Sequence, residues 1–164
     1  MFDEQKLRWM NGRYLRELDV DDLTSRLEAL TGRSGLRGAV EISQDKISTL
    51  AEFWPLTHFF FDGPVDDPAA RERVLEAPGG RNALAAARQA LADVPEPWTQ
   101  ERLEAALGTV ADRLGVKRKN VFQPLRVALT GTTVSPGIFE TVALLGRDET
   151  LARVDHVLNG RKGT

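Results

Sequence analysis

Apolar residues recur at helical spacing through most of the chain. The first run, Phe2, Leu7, Trp9, Met10, Tyr14, Leu15 and Leu18, predicts one helix or two short ones over 2–18, with Gly12 a local weakness. Asp19 or Asp21 is placed to cap the next helix by accepting backbone N–H bonds; Leu23, Leu27 and Leu30 then line one face until Gly32 stops it. Leu36, Val40, Ile42, Ile47 and Leu50 predict another amphipathic helix, interrupted near 43–45. The stretch "AEFWPLTHFFF" that follows holds five aromatics among eleven residues around Pro55 and reads as a short strand or a helix broken by proline, with helical turns favoured. "DGPVDDP", residues 62–68, is a solvated turn by composition and separates substructures.

Residues 69–91 are rich in Ala, Arg, Leu and Glu and predict two helices divided by "APGG". "DVPEPW" is a proline-stiffened link, after which Thr99 caps a helix carrying Leu103, Leu107 and Val110 inward as far as Gly115. A short helix is expected to begin after Asn120 and run over 123–129, followed by the loop "TGTTVSPG". Ser135 is then expected to cap a helix with Pro136 in its first position and Gly146 at its end, and Asp148 to cap the last helix, through Leu158. A frayed basic tail, "NGRKGT", closes the chain. Nothing requires a sheet. The expected fold is all-α and multihelical, in two small helical subdomains over 1–92 and 93–164.

The 164 residues, 41% apolar and 28% charged, suit a globular chain with a real core. No long apolar run or basic-then-apolar amino terminus occurs, so neither a membrane span nor a signal peptide is indicated and the chain reads as cytoplasmic. Without cysteine there is no disulfide, thiolate catalysis or cysteine zinc site, and His58 and His156, being isolated, do not build a metal centre. His58 sits among aromatics as a core or partly buried imidazole; His156 suits the negative end of a helix. "APGGRN" lacks the Gly-Lys-Ser/Thr ending of a phosphate loop. Asp21 with Asp22, and Asp66 with Asp67, are caps and turns, so no catalytic residue is assigned.

Charge changes the picture. Acids outnumber bases by 24 to 22, yet from Arg113 to Phe139 there is no carboxylate, and Lys117, Arg118, Lys119 and Arg126 all fall within that span. Cations after a helix terminus also complement its dipole, which is a sufficient structural reason for the first three. Beside them stand Phe122, Gln123, Arg126, a Thr/Gly loop and a helix start with free N–H groups, a set suited to unpaired nucleotides. The cations would meet phosphate, the guanidinium a base.

Two blocks carry a resemblance. "FDEQKLRWMNGRYLREL" at 2–18 resembles a Phe-Asp-x-x-Lys-Leu-x-Trp-x-Asn-x-x-Tyr signature, and "FQPLRVALTGTTVSPGIFETVALLGRDETLARV" at 122–154 resembles a Pro-Leu-Arg-x-Ala-Leu-Thr-Gly block with the helix after it. Both are features of the anticodon-binding region of bacterial-type glutamyl-tRNA synthetases, which are class I enzymes. The likeness covers nearly the whole chain and includes "TLAEF" between the blocks.

That resemblance implies a complete enzyme that joins glutamate to tRNA(Glu) using ATP and Mg²⁺ in a Rossmann-type domain. Neither a His-Ile-Gly-His-type nor a Lys-Met-Ser-Lys-Ser-type motif occurs in this sequence. The expectation is a carboxy-terminal fragment that binds tRNA as a monomer, without cofactor and without catalysis. Carried over by residue, Arg126, Ser135, Pro136 and Ile138 match the segment that meets the anticodon bases; Lys117, Arg118 and Lys119 are expected at the phosphate backbone on their charge alone. Some members read the third anticodon base with an arginine just before "TL" and so exclude tRNA(Gln); the match here is Lys46, a point charge without a planar fork. Choice between tRNA(Glu) and tRNA(Gln) therefore stays open. Trp9 and Tyr14 are expected in the core or at the hinge to the catalytic part. The alternative is a helical module that docks another synthetase or an acidic protein, with residues 53–61 as its apolar surface.

Overall fold

The computed structural model of the protein describes residues 4–160, with side chains from residue 11 onward. Every regular element among them is helical, as the spacing of apolar positions requires, and none is a strand. The expectations for the side chains of Phe2, Leu7, Trp9 and Met10, and for the tail at 161–164, lie outside the described residues.

The chain divides into two compact units, Met1–Phe61 and Asp62–Thr164. The division falls at the "DGPVDDP" turn and not at 92/93, because residues 80–92 form a helix packed on those that follow the proline link. Stiffness of a linker is local; membership of a core is not.

In the first unit, α1 (Glu4–Glu17) is followed by α2 (Val20–Thr31) and α3 (Arg37–Ser43). The Asp19 carboxylate accepts from the Asp21 N–H at 3.0 Å, and Gly32, in the left-handed region, returns its N–H to the Glu28 carbonyl. Leu23 and Leu27 are fully buried, whereas Leu30 is 62% exposed, so the inner stripe is narrower than its spacing predicts. After α3 the chain tightens into a 3₁₀ turn, Gln44–Lys46, for a tertiary reason. The Gln44 amide donates to the carbonyls of Leu15 (2.7 Å) and Leu18 (2.8 Å), which no helical N–H of α1 can reach.

A second 3₁₀ turn, Leu50–Glu52, leads into α4 (Phe53–Thr57) and α5 (Phe59–Asp62). Phe53 joins Leu23, Leu27, Leu36, Val40 and Ile47 in this unit's core, and Phe59 is also buried. Trp54 stacks on Phe61 at 5.8 Å between centroids and is covered by the Arg33 guanidinium at 4.5 Å. Most of the aromatic segment is thus used by the fold itself. Tyr14 departs from the core expectation, being 53% exposed.

In the second unit, α6 (Pro68–Ala70) runs into a π-helical turn, Arg71–Leu75, ahead of α7 (Gly80–Ala92), α8 (Gln100–Leu114), α9 (Lys119–Thr130), α10 (Ile138–Leu145) and α11 (Arg147–Asn159). Thr99 caps α8 by accepting from the Arg102 N–H. Leu84, Leu91, Leu103, Leu107, Leu125 and Leu129 form a continuous core. Arg88 grips Asp155 with two bonds of 2.8 and 3.1 Å, joining α7 to α11. That hydrogen bonding holds the Asp155 carboxyl below its usual range, so its stabilising effect is present above the ordinary carboxylate pKa and is lost as pH falls through the lowered one.

Three boundaries differ from the pattern-based expectation. Helix α9 starts at Lys119, inside the cation run. Gly137 and Gly146 occupy the cap positions expected of Ser135 and Asp148; Asp148 lies instead in the first turn of α11, where its charge complements the dipole. No helix among the described residues is long and apolar enough to cross a membrane.

Candidate nucleic-acid interface

Helix α9 begins at a cationic end. Lys117, Arg118 and Lys119 are all exposed, and the N–H groups of Asn120 and Val121 turn back onto the carbonyls of Lys117 and Arg118. The run therefore sits at the positive pole of α9, where cations are disfavoured, as well as beyond the favourable negative pole of α8. Arg118 is used by the fold. Its guanidinium lies 3.8 Å from the Glu104 carboxylate and against Gly108, where even a methyl group would come within 3.1 Å of an Nη atom. Lys117 and Lys119 have no carboxylate partner among the described residues.

Seven residues, about 10 Å of helical rise, separate Lys119 from Arg126, so both lie on one face of α9 with Gln123 between them. The Arg126 guanidinium is half-buried, and its Nε donates to the Ser135 hydroxyl at 2.9 Å. That hydroxyl donates in turn to the Pro136 carbonyl at 2.8 Å, which is why Ser135 does not cap α10. Both Nη groups of Arg126 are without a partner among the described residues. Burial pushes the guanidinium below its ordinary pKa, yet it stays charged at any physiological pH. A fixed, partly desolvated cation with free donors and no counter-ion is poised for an anionic or carbonyl-rich ligand.

The far end of α9 is locked. The Gly131 N–H returns to Val127 at 2.8 Å, the Thr130 hydroxyl bonds the Arg126 carbonyl at 2.8 Å, and the Val65 N–H reaches the Thr130 carbonyl at 2.9 Å. Buried Arg153, from α11, donates to the Leu129 carbonyl at 2.8 Å while its Nε holds Glu149 at 2.7 Å. Of the last four carbonyls of α9, those of Val127, Leu129 and Thr130 thus have donors from beyond the helix. Arg153→Met, which keeps the bulk and removes the donors, is expected to cost about 1–3 kcal/mol in urea unfolding by orphaning a buried carbonyl.

Sequence reasoning brought Arg126 and Ser135 to one place, and the structure joins them directly. Pro136 and Ile138 are buried, Ile138 within the core of the second unit, so they set the course of the 131–137 loop while exposed Val134 stands at its surface. Lys46 belongs to the first unit, in its 3₁₀ turn, 3.3 Å from the Asp45 carboxylate. Two residues had no local signal. Arg153 lies in an ordinary helical pattern, and Arg73, on the π-helical turn, reaches Thr133 sixty positions away at 3.4 Å.

A family model for the anticodon binding domain matches residues 8–158. A glutamate–tRNA ligase of Acidothermus cellulolyticus is 42% identical over 174 aligned positions, covering 94% of this chain and 34% of the relative. The glutamate–tRNA ligase of Thermus thermophilus is 37% identical, with 96% of this chain and 35% of the relative covered. The chain thus spans about a third of the length of these curated relatives. A crystal structure of a glutamate tRNA ligase from Elizabethkingia meningosepticum in complex with its amino acid superposes with a TM-score of 0.80 at 18% identity, over 96% of this chain and 32% of that one; at that identity the likeness speaks to the fold.

Proposed function

This chain belongs to the anticodon-binding domain family, and on that premise we propose that it is the anticodon-recognition module of a glutamyl-tRNA synthetase. Its ligand is the anticodon stem-loop of tRNA(Glu), and of tRNA(Gln) if Lys46 does not discriminate at the third base. Ligation of glutamate, with its ATP and Mg²⁺, is the work of the longer cytoplasmic enzyme; no residue here is assigned to it, and the module acts as a monomer.

The observation that carries this reading is Arg126, half-buried, oriented by Ser135, unpaired by any carboxylate and lying on a helix face that begins at Lys119. Arg126 supplies base contacts through its free donors or its planar face; Lys117 and Lys119 neutralise phosphates. Burial of Phe53 and Phe59 removes much of the apolar surface that a protein-docking module would use.

Titrating a fluorescent glutamate anticodon stem-loop with the chain tests the reading. Binding is expected to saturate and to weaken as salt rises, with log K falling by roughly 0.7 per neutralised phosphate for each unit of log salt. Absent or salt-independent binding would overturn it.

A further inference from the structure

Two cavities among the described residues of the second unit differ in electrostatic character. One, of 840 Å³, is lined by Asp66, Asp67, Glu76 and Glu149 as well as by Arg71, Arg81 and Arg153, and pairs of these already neutralise one another. The other, a cleft of 650 Å³, has no carboxylate among its described lining residues. It lies between the 73–83 segment and the first half of α9, and its polar side chains are Arg73, Asn82, Lys119, Asn120, Gln123 and Thr133. In a chain with more acids than bases, an acid-free cleft with two cations on different elements is a site for negative charge.

Its place gives the charge a source. Lys119 and Gln123 share the α9 face with Arg126, and Arg73 touches Thr133 in the loop whose Ser135 orients Arg126. The cleft therefore adjoins the Arg126 site, lying further back along the same α9 face and meeting the 131–137 loop at Thr133. Neither Arg73 nor Lys119 has an acidic partner among the described residues, so these two charges are not consumed by the fold.

We infer that this cleft is a second RNA subsite, which holds the sugar–phosphate backbone of the strand as it leaves the Arg126 site. Arg73 and Lys119 clamp a phosphate from opposite walls, and the amides of Asn82, Asn120 and Gln123 receive ribose and phosphate oxygens. The contact reads no base. It fixes the register in which Arg126 reads one. The inference rests on the anticodon-binding reading and adds Arg73, from a segment with no local mark of function.

Two variants test it from opposite directions. Arg73→Ala removes a cation, and Asn82→Asp places a carboxylate in the cleft at the start of α7, where the helix dipole favours it and folding is not impaired. Each is expected to weaken every stem-loop by one common factor, about tenfold for a lost charge-assisted contact, and Arg73→Ala to reduce the salt slope by roughly 0.7. Arg73→Lys should restore the slope, because charge and not the Thr133 bond is what matters. If the unmodified chain chooses its anticodon while Arg73→Ala and Asn82→Asp keep full affinity and slope, the cleft is no subsite and the anticodon reading stands. If the unmodified chain binds no stem-loop, both fall together.

Discussion

Gly131→Ala is expected to destabilise the 62–164 unit by roughly 2–5 kcal/mol, enough to unfold much of it at moderate temperature. Gly131 has φ +83, where an L side chain costs about 1–2 kcal/mol. Geometry adds more: an ideal Cβ there would lie 1.9 Å from the Val65 carbonyl oxygen and 2.6 Å from its nitrogen. The 62–68 turn would have to move away, and the Val65 N–H to Thr130 bond would be lost with it. Gly115→Ala is the matched control. Gly115 is also left-handed, at φ +68, but a Cβ there meets nothing within 4 Å, so only the backbone cost of about 1–2 kcal/mol applies. Urea unfolding followed by far-UV circular dichroism separates the two; equal losses would show that the 62–68 turn is not pinned under α9.

Arg126→Ala has the largest expected effect on binding. It should weaken the stem-loop complex by about 1–3 kcal/mol and flatten the preference among anticodons, since the guanidinium is the group placed to read or stack on a base. Stability should hardly change, because the side chain has no ion pair to lose. Ser135→Ala acts through Arg126 by freeing its rotamer, so its effect should be smaller and should vanish in the Arg126→Ala background. Non-additivity in that double-mutant cycle distinguishes positioning by Ser135 from an independent contact. A loss below a few tenths of a kcal/mol for Arg126→Ala, with the fold intact, would remove it from the site.

What the sequence made legible was what local chemistry decides. Asp19 and Thr99 cap the helices they precede, and Gly32 and Gly115 end them, because capping is settled within a few residues. The acid-free run around Arg126 was equally plain. Hidden features depend on residues far apart in the chain. Gln44 breaks the 36–50 helix by reaching back to the end of α1, and Ser135 gives up a capping role because its hydroxyl is held between Arg126 and Pro136. The division at 61/62 follows from the packing of α7 on α8, α9 and α11, which the proline link at 93–98 does not foretell. Arg73 and Arg153 look like any surface arginine in a helix, and distance in sequence conceals what each one touches.

The decisive measurement is the affinity of the chain for a glutamate anticodon stem-loop beside stem-loops changed at each anticodon position, all at one salt concentration. Tightest binding is expected for the glutamate anticodon, with the changes read by Arg126 costing about 1–3 kcal/mol each and the third-position change reporting how far Lys46 discriminates. Equal affinity for every loop would contradict that expectation, leaving a cationic surface that holds RNA without reading it.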